Sequence, residues 1–252
     1  MQKKRRILLE ICCGSAGDVA AAFSGGADRV ELNSDLFHGG LTPSIGAMQV
    51  ARSISDKPIM TMVRPRAGGF CYDKIDFRTA MADGEALLKA GADGLVFGFL
   101  HCDQTIDMER CRAMIDLCAG RETVFHRAMD LTPDWRRAFD QLMELGVTRV
   151  LTSGQGPACP QAIPTLREMV LYGEGRLEVL PGGGVKLHTM EEIVKGTGCT
   201  QIHLSSNRTV TDVSGRNSRG IHFGGAIYPP EDAYDVTDAS YVERVAAVLQ
   251  DS

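Results

Sequence analysis

Ionisable side chains stand at the ends of short apolar runs in this 252-residue chain. Glu10 precedes Cys12-Cys13, Glu31 precedes Asn33, Val63 leads into Arg64-Pro65-Arg66, and Phe125 leads into His126-Arg127. Later runs end in Thr152-Ser153-Gly154, Gly182-Gly183-Gly184 and His203-Leu204-Ser205-Ser206. Imidazole carries protons near neutral pH, and carboxylates can orient it or share the transfer. Glu10, Glu31 and His126 are therefore acid–base candidates, with Asp130 four residues beyond His126. Arg64 and Arg66 offer charge-assisted donors to an anion. Gly183 and Gly184 allow close backbone approach, and with Ser205 and Ser206 they suit a small anionic, even phosphorylated, ligand. Cys12 and Cys13 suggest a soft metal such as Cu(I). Adjacent strand residues point to opposite faces, so both reach one ion only where the strand has ended. A Cys12 nucleophile, which His126 could in principle activate, is no better supported by spacing than the metal site. No C-x-x-C or H-x-x-x-H spacing marks a zinc site.

These residues need elements that bring them together. Eight apolar, β-branched runs recur along the chain: Ile7–Cys12, Asp28–Leu32, Ile59–Val63, Gly94–Phe97, Glu122–His126, Arg149–Thr152, Leu177–Leu180 and Thr200–Leu204. Between them lie stretches with helical spacing and capping signals. Ser15-x-x-Asp18 and Thr189-x-x-Glu192 read as capping boxes, and Thr42-Pro43 and Thr132-Pro133 as a capping hydroxyl before a first-turn Pro. Gly26-Ala27-Asp28 and Gly91-Ala92-Asp93 read as helix exits into strands. Eight β-α units without a composition break predict one α/β domain over residues 1–252, a single (β/α)8 TIM barrel. An open doubly wound sheet is the competing fold, but the G-x-G-x-x-G turn after the first strand is missing.

Barrel enzymes use the C-terminal ends of their strands. Alternation puts Leu8, Glu10 and Cys12 on one face, Met60, Met62 and Arg64 on another, and Val124 with His126 on a third. If these faces point inward, Glu10, Glu31, Arg64 and His126 converge at one mouth. The competing reading is a structural salt-bridge network plugging the barrel; for Arg64 and Arg66 it is a solvated loop with one Arg paired to Glu31. Asn207 to Asp238 is rich in Gly, Ser, Thr, Asn and Pro, so 207–237 reads as a long loop, a candidate lid, before a last helix from about Ser240.

Composition removes other classes. Hydrophobic residues make up 44% and charged residues 23%, as in an ordinary globular protein. A net charge of −5 argues against general nucleic-acid binding. No apolar run approaches the ~20 residues of a membrane span. Residues 1–6 read as a basic, solvated leader rather than a signal peptide. Eight unevenly spaced Cys fit reduced thiols in the cytoplasm better than a secreted disulfide frame. With only 6% aromatic residues, the core should consist mainly of Val, Ile, Leu and Met.

The motifs together resemble the CutC family, associated with copper homeostasis. The matching stretches are Leu9-Glu10-Ile11-Cys12-Cys13, Gly26-Ala27-Asp28-Arg29-Val30-Glu31-Leu32, Gly39-Gly40-Leu41-Thr42-Pro43-Ser44 and Arg64-Pro65-Arg66 through Gly69-Phe70-Cys71-Tyr72. Phe125-His126-Arg127-Ala128 with Asp130, Leu151-Thr152-Ser153-Gly154-Gln155 and His203-Leu204-Ser205-Ser206 follow in order. The resemblance implies a cytoplasmic TIM barrel, often a homo-oligomer, with a role in copper handling and no assigned reaction. It also implies Cys12, Cys13 and Cys71 as candidate Cu(I) ligands. Two functions stay open: a copper-binding protein, or a barrel enzyme acting on a small anionic substrate.

Overall fold

A computed structural model describes residues 6–216, 219–224 and 228–251. Most of the basic leader, residues 1–5, lies outside these, as do five residues of the 207–237 segment. Eight parallel strands alternate with helices. They are β1 (Leu8–Cys13), β2 (Arg29–Leu32), β3 (Ile59–Met62), β4 (Gly94–Phe97), β5 (Glu122–Phe125), β6 (Arg149–Thr152), β7 (Glu178–Pro181) and β8 (Gln201–Ser205). The intervening helices are α1 (Ala16–Ser24), α2 (Ile45–Ile54), α3 (Lys74–Lys89), α4 (Met108–Cys118), α5 (Trp135–Leu145), α6 (Ile163–Gly173) and α7 (Met190–Thr197). The strands are ordered β7-β6-β5-β4-β3-β2-β1-β8, and a parallel bridge from Gly182 to His203 brings β7 to β8. This is the expected (β/α)8 barrel.

Strand alternation separates two apolar layers. Odd residues of β1 such as Leu9 and Ile11, with Val30, Leu32, Phe97 and Phe125, pack outward beneath the helices. Met60, Met62, Val96, Val124, Leu151 and Leu180 fill the barrel itself. The inner layer holds the expected Met, Val and Leu, whereas the few phenylalanines concentrate in the outer layer around β4 and β5.

Not every capping signal acts as read. Ser15 does cap α1, accepting from Asp18 N at 3.1 Å. The caps of α2 and α5 are Ser44 and Asp134, one residue after each Pro, rather than Thr42 and Thr132. A residue before Pro is held extended, so the chain turns helical only beyond the ring. Thr42 instead accepts from Arg64 N at 2.9 Å, and Thr132 donates to Met129 O. Thr189 makes no side-chain cap bond, and its hydroxyl accepts from Lys186 N.

The segment after β8 also differs from the reading as a loop. β9 (Asn207–Thr211) and β10 (Ala233–Thr237) pair antiparallel and lead into α8 (Ala239–Asp251). Both strands are polar and largely exposed, so neither shows the alternation that reveals a half-buried strand. Asp18 accepts from Thr237 N at 2.6 Å and Ser206 O from Asp238 N at 2.8 Å, tying the arm to the barrel.

Candidate metal centre at the barrel mouth

Register brings four functional side chains together. Cys12 pairs with Glu31 across β1 and β2, while Glu10 pairs with His203 across β1 and β8. Paired residues of parallel strands point the same way, so all four face the barrel interior. Cys12 Sγ donates to Glu31 Oε2 at 3.7 Å, His203 Nε2 lies 4.0 Å from the same oxygen, and His203 Nδ1 lies 2.8 Å from Glu10 Oε1. Ligand atoms of Cys12, Glu31 and His203 all lie within 4.8 Å of one another, and all three residues are buried. Gly182 makes room for Leu151 and the imidazole, since a Cβ there would lie 2.5 Å from Leu151 Cδ1 and 3.1 Å from His203 Cδ2.

A polar chain supports this cluster from below. Arg29 Nε binds Glu10 Oε2, and Arg29 Nη2 donates to Gln201 Oε1 at 2.7 Å. Gln201 Nε2 donates to Glu178 Oε2 at 3.0 Å, and Arg149 bridges Glu178 and Glu122 at 2.7 and 2.9 Å. An ionic chain thus closes the N-terminal end of the strands, built from residues other than those expected to converge, and the Cys12, Glu31 and His203 cluster lies above it.

Charge follows from these contacts. Burial would raise the Glu10 carboxyl, but the Arg29 guanidinium, helped by His203, takes it down to about 2. Burial also works against a His203 cation, yet Glu31, Cys12 and Glu10 hold its pKa well above the usual histidine value. Burial raises the Glu31 carboxyl against the pull of His203. It pushes the Cys12 thiol up to about 11, again against His203. Asn33 Nδ2 donates to Glu31 Oε2 at 2.8 Å. Among the described residues, Glu31 Oε1 and Asn33 Oδ1 remain buried acceptors without a protein donor.

Other candidates stand apart from this cluster. His126 lies across the barrel at the end of β5, its Nδ1 accepting from Ala128 N at 3.1 Å. Burial, with Arg64 nearby, drives its pKa down to about 3, so it is neutral and its Nε2 carries the proton. Among the described residues, that Nε2 and Arg64 Nε are buried donors without an acceptor. Arg64 does not pair with Glu31; it donates to His38 O, Gly40 O and Gly68 O. Arg66 binds Asp76 at 2.6 Å and loop carbonyls. Asp130 does not touch His126; it accepts from Thr152 Oγ1, Ser153 N, Gln155 N and Arg127 Nε.

The glycine and serine positions are largely committed as well. Gly183 adopts a left-handed φ of 108° against the Arg127 guanidinium, and Gly184 one of 72°. Ser206 donates to Asp238 O, whereas Ser205 is exposed in register with Cys12. Cys13 faces the helices and donates to Ile11 O, so its thiol cannot share an ion with Cys12. Cys71 is exposed beside Cys102 and joins no cluster of three ligand residues among those described. The residue without a role in the sequence reading is His203. Its signal is the two-residue spacing from Gln201 and Ser205, which gains meaning only once β8 is known to pair with β1.

The CutC family profile matches residues 7–208. The chain belongs to the CutC family. A family protein CutC of Treponema denticola is 44% identical over 245 residues, covering 97% of this chain and all of that one. The human copper homeostasis protein cutC homolog is 35% identical over 243 residues, covering 96% of this chain and 89% of its own. Among solved structures, CutC from Streptococcus agalactiae superposes with a TM-score of 0.75 at 32% identity, covering 79% of this chain and 98% of that one. No helix among the described residues is long and apolar enough to cross a membrane.

Proposed function

We propose that this family member binds one Cu(I) ion between Cys12 Sγ and His203 Nε2, with the Cys12 thiolate balancing the charge and Glu31 taking up the proton that His203 gives up. The observation that carries this reading is the orientation of His203. Metal-binding imidazoles commonly donate their second ring N–H to a carboxylate, which fixes the tautomer and frees the other nitrogen. Glu10 holds Nδ1 in this way, and Nε2 faces Cys12 and Glu31. Thiolate and imidazole suit copper, and the names of the mammalian relatives point to the same metal. The eight free cysteines suit a reducing cytoplasm.

Neutrality in a buried site sets the proton balance. The histidine cation and Glu31 carboxylate cancel before copper enters. When Cu(I) binds, His203 can pass its proton to Glu31 while the Cys12 proton leaves, so one cation replaces another. Copper titration of the reduced protein should give one equivalent per chain with one proton released. Cys12→Ser and His203→Gln should each abolish tight binding.

One observation favours a second reading. Buried acceptors without partners (Glu31 Oε1, Asn33 Oδ1) line the β1–β2 side of the mouth, and buried donors without partners (His126 Nε2, Arg64 Nε) line the β3–β5 side. This polarity suits a small anionic substrate whose oxygen meets His126 while Glu31 and His203 exchange a proton with it. Retention of copper by His126→Gln alongside loss of small-anion binding would separate the two readings.

A further inference from the structure

Eight cysteines divide sharply by exposure. Cys12, Cys13, Cys111, Cys118, Cys159 and Cys199 are buried, while Cys71 and Cys102 are exposed. The two exposed thiols, 31 residues apart in sequence, face each other with a sulfur–sulfur distance of 3.0 Å. A disulfide bond needs about 2.05 Å, so an approach of roughly one ångström closes it.

Their setting is the rim of the barrel opposite the Cys12 cluster. Cys71 lies in the segment between β3 and α3, and Cys102 in the segment between β4 and α4. Leu100 N donates to Phe70 O at 3.0 Å, so the two loops are already joined one residue before Cys71. Arg66 Nη2 donates to Cys71 O at 3.0 Å and Arg110 Nη1 to Tyr72 O at 2.6 Å, placing two cations beside the pair. Contact with Cys102 holds the Cys71 thiol above the ordinary value and outweighs the pull of those cations, so the approach of the two sulfurs, rather than an activated thiolate, is what favours exchange.

We propose that Cys71 and Cys102 are a redox-responsive pair, converted to a disulfide by a low-molecular-weight disulfide and restored by thiols. One cysteine thiolate attacks a sulfur of the small disulfide, breaks its S–S bond and expels one small thiol. The second cysteine attacks the protein-side sulfur of the mixed disulfide and expels the other. The pair loses two electrons, the oxidant gains them, and both cysteine protons leave on the two released thiols. The product staples the β3–α3 and β4–α4 loops. Phe70, whose ring packs 4.7 Å from His126 and under the Arg64 guanidinium, is then fixed over that side of the mouth. The buried thiols, including Cys12, are spared.

The test equilibrates reduced protein with oxidised glutathione in the presence of a chelator, then traps free thiols and maps the peptides. The expected product is one cross-link joining Cys71 to Cys102, with an intact mass lower by two hydrogens, reversed by dithiothreitol. Cys71→Ser and Cys102→Ser should each stop at a glutathione adduct on the remaining thiol. Hydrogen exchange around Phe70 should slow in the oxidised form. A persistent glutathione adduct in the parent protein, no reaction at either thiol, or unchanged exchange around Phe70 would overturn the proposal.

Discussion

Glu10 and His203 are register partners on neighbouring strands, and their Oε1 and Nδ1 atoms lie 2.8 Å apart inside the barrel. The contact links two systems. Through Arg29, Glu10 belongs to the ionic chain that fills the lower barrel; through His203, it orients the cluster above. A change at the plug should therefore reach the mouth without touching a ligand residue.

Arg29→Ala should test that linkage. It removes the main cation holding Glu10 ionised and leaves a buried carboxylate with only His203 and the weaker pull of Arg149. Breaking a buried pair from one side costs about 3–5 kcal/mol, so the urea midpoint should fall clearly. Copper affinity should fall as well, because Glu10 no longer holds His203 in place. Unchanged affinity in a folded variant would mean that the two layers are independent.

Acid stability should report His126. Its pKa falls from an ordinary value near 6.5 to about 3 on folding. Below pH ~6.5 the unfolded chain takes a proton that the folded protein refuses, so stability declines as pH falls toward 3. One such group gives a slope of about 1.4 kcal/mol per pH unit. Glu10, depressed to about 2, adds its own loss below about pH 4.5 in the same direction. Denaturation curves of His126→Gln should lack the loss between pH 6.5 and 4.5 while keeping the more acidic one.

Gly98 should matter because of the same imidazole. A Cβ at Gly98 would lie 2.4 Å from His126 Cε1 and 2.6 Å from Nδ1, so the ring must move. Gly98→Ala should cost about 1–3 kcal/mol, as overpacking of a filled interior does. Combined with His126→Ala, which removes the two nearest atoms and leaves Ala128 Cβ at 2.9 Å, the total cost should fall below the sum of the singles. Strict additivity in thermal melts would show that the clash relaxes elsewhere.

How much of this was legible beforehand depends on whether the signal is local. All eight strands were, because each is an apolar run and the boundaries shift by one residue at most; β4 and β6 agree at both ends. The β9–β10 arm was not, since its exposed polar residues carry no alternation. In the site, Glu10, Glu31 and Cys12 could be placed on inward faces from the two-residue period. Their partners could not: Arg29 at the base of Glu10 and His203 beside it follow from strand register, which a single sequence does not encode. Asp130 shows the opposite failure. It was named beside His126 for its four-residue spacing, but the 3-10 turn over Arg127–Leu131 carries it to Thr152 and Ser153.

If Cys12 and His203 hold one copper ion, equilibrium competition with a Cu(I) chelator will show it. The parent protein should withdraw one equivalent of Cu(I) per chain, Cys13→Ser and Cys71→Ser should match it, and Cys12→Ser and His203→Gln should withdraw none. Parent-like binding by Cys12→Ser or His203→Gln, or loss of binding in Cys71→Ser, would contradict the assignment.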